Sequence, residues 1–129
     1  YSLLERKERL DEALSMIERA AKAEPDSGAI IDSLGWGLYR LGRNAEAVAH
    51  MERAVELMPV DPVINDHLGD VYWSVGRKRE AEYQWKRALS FKPDTEDEAN
   101  RIRLKLERGL DAVLKDEGTG TLPAPADGN

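Results

Sequence analysis

Apolar residues recur along this chain with the period of an amphipathic α-helix. In one segment they fall at Ile31, Leu34, Leu38 and Leu41, and the next segment repeats this spacing. Spacings of three and four residues place side chains on one helix face, and the alternation typical of a strand is missing from the sequence. The pattern predicts an all-α protein. The predicted helices are a short fragment over 1–7 and longer helices near 9–23, 28–41, 44–58, 62–75 and 78–91.

The helical pattern is itself repeated every 34 residues. A period of this length predicts two-helix units that stack into a solenoid, with small residues where helices cross closely. Two units, 27–60 and 61–94, are complete, and a first unit over 1–26 is truncated at its start and consists mainly of its second helix. The repeated columns are Ala13/Ala47/Ala81, Ala20/Ala54/Ala88 and Pro25/Pro59/Pro93.

Glycine and proline mark the ends and crossings of the predicted helices. Gly42 and Gly76 follow helical runs, where glycine in a left-handed conformation ends a helix. Gly35 and Gly69 lie within helices, where glycine is unfavourable unless another backbone or side chain packs closely. Asp61, followed by proline, is typical of the first residues of a helix.

The 34-residue period stops after Pro93. The sequence from Thr95 to Glu98 resembles a capping box and predicts one further helix over 95–117, which would cover the apolar end of the solenoid. From residue 118 to 129 the chain is rich in glycine and proline, which predicts a disordered tail. The predicted apolar face carries Ile102, Leu106, Leu110, Val113 and Leu114, and the charged face carries Arg101, Lys105, Arg108 and Asp111.

The repeated positions resemble the tetratricopeptide repeat (TPR) family. The resemblance rests on Leu34-Gly35-x-x-Leu38, Ala47-x-x-x-Met51, Ala54 and Pro59, and on Leu68-Gly69-x-x-Tyr72, Ala81-x-x-x-Trp85, Ala88 and Pro93. Leu38 and Met51 stand where the family has aromatic residues, and so do Ile31 and Asn65. The resemblance implies a right-handed α-α superhelix, a TPR solenoid with a C-terminal capping helix, that serves as a scaffold or adaptor.

A second likeness concerns the segments around Trp36 and Trp73. They are similar to the last repeats of large bacterial TPR proteins, including envelope lipoproteins that act as adaptors. This likeness implies a bacterial source and a periplasmic or cell-envelope location, with the cytoplasm as the alternative.

The family binds partners in the concave groove lined by the first helix of each unit. Aromatic residues there would anchor a protein or peptide, and the acidic residues favour a basic or aromatic-rich segment. Arg40 is the only fixed cation expected in the groove, which argues against a clamp for a terminal carboxylate. Carried over by register, the groove residues are Asp32, Trp36, Tyr39, Arg40, Asp66, His67, Asp70 and Trp73.

Simpler interpretations of these groove residues remain. Trp36 and Trp73 would pack between adjacent units if they belong to the core. The carboxylates would form a solvated face with local pairs such as Asp32 with Arg40.

Charge and chemistry exclude several function classes. The net charge of −6 argues against nucleic-acid and anionic-membrane surfaces, and no apolar run is long enough to insert into a membrane. The absence of cysteine excludes thiolate chemistry and leaves the redox compartment open. Asp66 and His67 point about 100° apart on a helix, and His50 lies on another surface. We therefore predict no catalytic, cofactor-binding or metal-binding residues and no enzymatic activity.

Three roles remain for such a chain, which is expected to be part of a longer or processed protein. The first is a protein-interaction module. The second is stacking on other repeats or self-association through the apolar N-terminal end. The third is an auxiliary domain of an enzyme that lies upstream. The apolar end is expected near Leu3, Leu4, Leu10 and Leu14.

Overall fold

The computed structural model describes residues 3–118, apart from the side chains of residues 3–5 and 7. This part of the chain contains seven helices and no strand, which confirms the all-α prediction. None of its helices has the length and apolarity needed to cross a membrane. The tail expected beyond Gly118 lies outside the described residues. The helices are α1 (Leu3–Ala23), α2 (Gly28–Arg40), α3 (Asn44–Leu57), α4 (Pro62–Ser74), α5 (Lys78–Ser90), α6 (Glu96–Arg108) and α7 (Leu110–Asp116).

The predicted helix ends are confirmed by the backbone. Gly42 and Gly76 have φ values of 80° and 84°, the left-handed conformation that ends α2 and α4. At the start of α4, the Asp61 carboxylate accepts a hydrogen bond from the Ile64 N–H at 3.0 Å. The Thr95 hydroxyl likewise accepts from the Glu98 N–H at 3.1 Å at the start of α6. Side-chain caps therefore define where these helices begin.

The structure differs from the prediction at both ends of the described chain. The fragment over 1–7 and the helix over 9–23 are one continuous helix, α1, because no glycine or proline interrupts its run of strong helix formers. The helix predicted over 95–117 is two helices, because Gly109 adopts φ 85° and ψ 155°, a conformation that only glycine adopts readily. The chain bends there, and α7 turns away from the axis of α6.

Close crossing of the paired helices explains the glycines within them. A Cβ atom at Gly35 would lie 2.6 Å from Sδ of Met51, and one at Gly69 would lie 2.4 Å from the ring of Trp85. Four alanines of the repeat, Ala47, Ala54, Ala81 and Ala88, have no exposed surface. Small residues thus bring α2 onto α3 and α4 onto α5, and successive pairs stack in chain order around one apolar core.

Candidate interaction groove

The N-terminal part of the predicted groove is built from one face of α2. Trp36 is half-buried and stacks on the ring of His67 from α4, with centroids 4.0 Å apart and planes 16° apart. Tyr39 lies 4.8 Å from Trp36, centroid to centroid, but only 5% of its surface is exposed. Arg40, at the end of the stripe, is exposed. The face therefore offers the edge of an aromatic cluster and a cation to solvent.

A histidine–carboxylate contact joins this face to the next repeat. Nδ1 of His67 lies 2.9 Å from Oδ1 of Asp32, and both side chains are largely shielded from solvent. Asp32 thus pairs across repeats with His67, whereas the sequence allowed a local pair with Arg40. The contact orients the His67 ring beneath Trp36 and links α2 to α4.

Two of the predicted groove carboxylates bind a lysine of α6. Nζ of Lys105 lies 2.8 Å from Oδ1 of Asp66 and 2.9 Å from Oδ1 of Asp70. Oδ1 of Asp70 also accepts a hydrogen bond from the Trp85 indole N–H at 3.0 Å. Burial raises the pKa of Asp70, and the charge of Lys105 opposes that rise. Two of the three groove carboxylates therefore share one cation within the chain.

The burial of Lys105 corrects the sequence prediction. The helical pattern placed it on the charged face of the last helix, yet it is 1% exposed. Its four-carbon stem is buried and its ammonium group is paired, which offsets the cost of removing the charge from water. The sequence contained its partners, but it gave no sign that they would meet Lys105.

Helix α7 lies against the C-terminal part of the predicted groove. The indole N–H of Trp73 donates to Oδ1 of Asp111 at 3.1 Å, and a Cβ atom at Gly109 would lie 2.9 Å from the Trp73 ring. Leu110 has no exposed surface and belongs to the core. Trp73 is half-buried, and part of its shielding comes from the chain's own C-terminal helix.

Two arginine–carboxylate pairs hold α7 in this position. Arg101 of α6 donates to both carboxylate oxygens of Glu117, at 2.7 and 3.0 Å, and Arg108 pairs with Asp116. The hydrogen bonds from Arg101 lower the pKa of Glu117 below its usual value. These pairs connect the middle and the end of α6 to the C-terminal end of α7, so α7 folds back along α6.

Charged side chains of α4, α6 and α7 also lie near Tyr39 of α2. Burial raises the pKa of the Tyr39 hydroxyl, the charge of Asp70 raises it further, and Arg101 and Asp111 act on it in opposite directions. Charges from α4, α6 and α7 therefore surround a tyrosine of α2. In this conformation Tyr39 and Asp70 are inside the molecule.

The open part of the groove contains a basic cavity. Arg40 lines a cavity of about 340 Å³ together with Leu10 and two further arginines, Arg6 and Arg9. The prediction that Arg40 is the only cation of the groove is therefore wrong, because α1 also contributes arginines to this cavity. In the structure this end of the groove carries arginines, and at its other end Asp66 and Asp70 share Lys105.

The predicted absence of metal ligation and catalysis stays a prediction. Within residues 3–118 no group of three or more histidine or carboxylate side chains is arranged to hold a metal ion. His67 contacts Asp32 and Trp36, whereas His50 lines a different cavity between α1, α2 and α3.

The stacked helix pairs, the capped ends and the 34-residue register define a helical-repeat solenoid. Residues 28–58 match the model of the tetratricopeptide repeat family. A solved structure, MamA MSR-1 C2, is similar to 87% of this chain with a TM-score of 0.62 and 22% identity. The chain covers 60% of that structure, and no curated protein matches it.

Residues 28–58 thus match a tetratricopeptide repeat, and the fold of the described chain is that of a TPR-type helical solenoid. Repeat arrays of this class present extended surfaces to other proteins, which supports a general role in protein interaction.

Proposed function

We propose that this chain is a protein-interaction module that binds an extended partner segment in the open, N-terminal part of the concave groove. The observation that carries the proposal is the juxtaposition of the half-buried Trp36 with the exposed Arg40 beside a basic cavity. Aromatic residues and arginine are the residue types that contribute most to protein interfaces. Asp66, Asp70 and Trp73 are already contacted by α6 and α7, so the proposal assigns the partner segment to the other end of the groove.

The charges indicate the chemistry of the partner segment. The exposed Arg6 and Arg40 favour a carboxylate, and Trp36 favours an apolar or aromatic side chain next to it. Asp66 shares the Lys105 ammonium group with Asp70, and Asp32 is in contact with His67, so these carboxylates already have partners within the chain. The preference for a basic segment that the sequence indicated is therefore replaced, in this proposal, by a preference for an acidic one.

A capture experiment with a matched control tests the proposal. The chain, a Trp36→Ala/Arg40→Glu variant and a Tyr83→Ala/Arg79→Glu control would each be immobilised and exposed to lysate of the source organism. Tyr83 and Arg79 are exposed on α5, so the control makes the same chemical changes outside the groove. Circular dichroism melts establish that all three are folded, and mass spectrometry identifies the retained proteins.

The outcomes separate the candidate surfaces. A protein retained by the parent and the control but lost by the groove variant supports the groove. A protein retained equally by all three places the interaction on another surface. No specific retention by any of the three favours the second candidate function.

The second candidate is stacking of a further helix on α1. Ala13 is exposed and Ala20 and Ile17 are half-buried, although their counterparts Ala47, Ala54 and Met51 are completely buried. In the complete repeats these positions contact the first helix of the same unit. Leu14, by contrast, is 4% exposed and already belongs to the core, so it does not contribute to an apolar end.

Sedimentation over a range of concentrations tests this candidate. Association that is abolished by Ala13→Glu/Ile17→Glu, but not by Glu12→Gln on the adjacent exposed surface, would support stacking on the α1 surface formed by Ala13, Ile17 and Ala20. A monomer at every concentration would contradict self-association through this surface.

A further inference from the structure

A cavity of about 370 Å³ lies between α1, α2 and α3, away from the groove. Its walls are mainly apolar, and exposed residues such as Lys22 and Glu46 at its rim open it to solvent. The apolar wall consists of Ala21, Pro25, Ile31, Leu34 and Leu38.

The repeat provides an internal reference for this cavity. Adding 34 to each lining residue gives the corresponding position at the junction of α3, α4 and α5. Leu38 corresponds to Tyr72, and Ala21 corresponds to the larger Val55. The two junctions therefore share a register but differ in the side chain that points between their helices.

At the second junction the space is filled by the phenol ring of Tyr72. The Tyr72 hydroxyl donates to Oε2 of Glu52 at 2.5 Å, and the Arg77 guanidinium lies 4.4 Å from the ring centroid. Glu80 holds that guanidinium with hydrogen bonds of 2.7 and 2.5 Å. The ring is thus bound by one acceptor and one cation, and Tyr72 is 6% exposed.

The first junction has the same charged groups without the ring. Glu18 corresponds to Glu52 and Arg43 to Arg77, and both line the cavity. Arg43 pairs with Glu46 at 2.6 Å, as Arg77 pairs with Glu80. Because Leu38 is shorter than tyrosine and has no hydroxyl, the volume and the acceptor remain for another molecule.

We propose that this cavity binds a p-hydroxyphenyl group, the side chain of a tyrosine in a partner protein. The ring would lie against Leu38 and beneath the Arg43 guanidinium, and its hydroxyl would donate to Glu18. The site is separate from the groove and does not depend on the function proposed for it.

Titration followed by ¹H–¹⁵N NMR tests the chemistry with three probes. N-acetyl-tyrosinamide carries the group as a side chain, p-cresol carries it alone, and toluene lacks the hydroxyl. We expect saturable shifts at Ala21, Ile31 and Leu34 with the first two probes, and binding of toluene about tenfold weaker because the hydrogen bond to a carboxylate is lost.

Two variants keep the test independent of folding. Leu38→Tyr supplies the missing ring from within and should abolish binding. Glu18→Ala removes the acceptor from an exposed position and should weaken p-cresol about tenfold without affecting toluene, whereas Glu12→Ala, also exposed on α1, should change neither.

Each result decides the proposal. Binding of both phenols that Leu38→Tyr removes supports it. Binding of p-cresol alone overturns the tyrosine side chain as the source of the group. No saturable shift with either phenol, equal affinity for toluene, or binding that persists in Leu38→Tyr overturns the site.

Discussion

The two complete repeats share one register but are held together by different chemistry. In the repeat over 61–94, Trp85 packs under Gly69 and donates to Asp70, which in turn binds Lys105. In the repeat over 27–60, the flexible Met51 takes the place of Trp85. The repeat over 61–94 therefore takes part in a buried polar network of Trp85, Asp70 and Lys105 that the repeat over 27–60 lacks. Equal sequence positions therefore do not imply equal rigidity of packing. The open part of the groove and the cavity between α1, α2 and α3 both involve the repeat over 27–60, which has no such network.

The largest effect is expected from breaking the buried pair. Lys105→Ala leaves Asp70 buried without its cation and should lower the free energy of unfolding by about 3 to 5 kcal/mol, measured by urea denaturation. Arg103→Ala, two residues away on the same helix, removes an exposed pair with Glu96 and an exposed hydrogen bond to Asn100, and should cost less than about 1 kcal/mol. Similar small losses of unfolding free energy in both variants would show that the network does not stabilise the repeat over 61–94.

A smaller effect should distinguish the two helical glycines. Gly69→Ala forces its methyl group against the rigid Trp85 ring and should cost about 1 to 3 kcal/mol in a denaturation experiment. Gly35→Ala meets the flexible Met51 and gains helix propensity, so its cost should be under about 1 kcal/mol. Equal costs would mean that both crossings are equally rigid.

The Tyr72 hydroxyl provides a third test of the difference between the repeats. Tyr72→Phe removes its hydrogen bond to Glu52 and should lower the free energy of unfolding by about 1 kcal/mol, because the partly exposed Glu52 can bind water instead. Tyr83→Phe removes a hydroxyl from an exposed ring and should have no measurable effect. A neutral Tyr72→Phe would remove the support that the Glu52 acceptor gives to the proposed phenol site.

The smallest effect concerns the pairing of α7 and its dependence on pH. The pKa of Glu117 is lowered in the folded state, so its contribution to stability is present above the ordinary value of 4.5 and is lost as pH falls through the folded-state pKa. Both groups are partly exposed, so Glu117→Gln should cost less than about 1 kcal/mol near neutral pH.

The check is a comparison of parent and Glu117→Gln by urea denaturation at about pH 7 and about pH 3. The difference between the two proteins should disappear at the lower pH. A difference that persists there would show that Arg101 does not stabilise α7 through the charge of Glu117.

The repeat fold was predictable because every column is visible in the sequence at a fixed spacing. The caps at Gly42 and Asp61 and the close crossing at Gly69 follow from local chemistry alone. The helical spacing also places the predicted groove residues on one face of α2 and one face of α4. It does not predict which of these side chains are exposed to solvent. Whether Tyr39 or Trp73 meets solvent depends on α7, and α7 folds back along α6 only because Gly109 changes the direction of the chain.

Lys105 shows why the electrostatics of the groove could not be predicted. On the helical pattern it lies beside Arg101 and Arg108, which are more exposed. Its burial depends on carboxylates of α4 that are 35 and 39 residues away in sequence. Periodicity reports which faces are apolar, but it does not report which charges meet across helices.

The buried Lys105 also determines where α6 can lie along the array. Leucine and alanine contacts repeat along stacked helices, so apolar packing alone permits neighbouring positions of similar energy. A shift of one helical turn, about 5.4 Å, would carry the ammonium group away from Asp66 and Asp70 and leave unpaired charges in the interior. We therefore expect the pair to act as an alignment device, because it makes one translational position of the last helices much more favourable than the next.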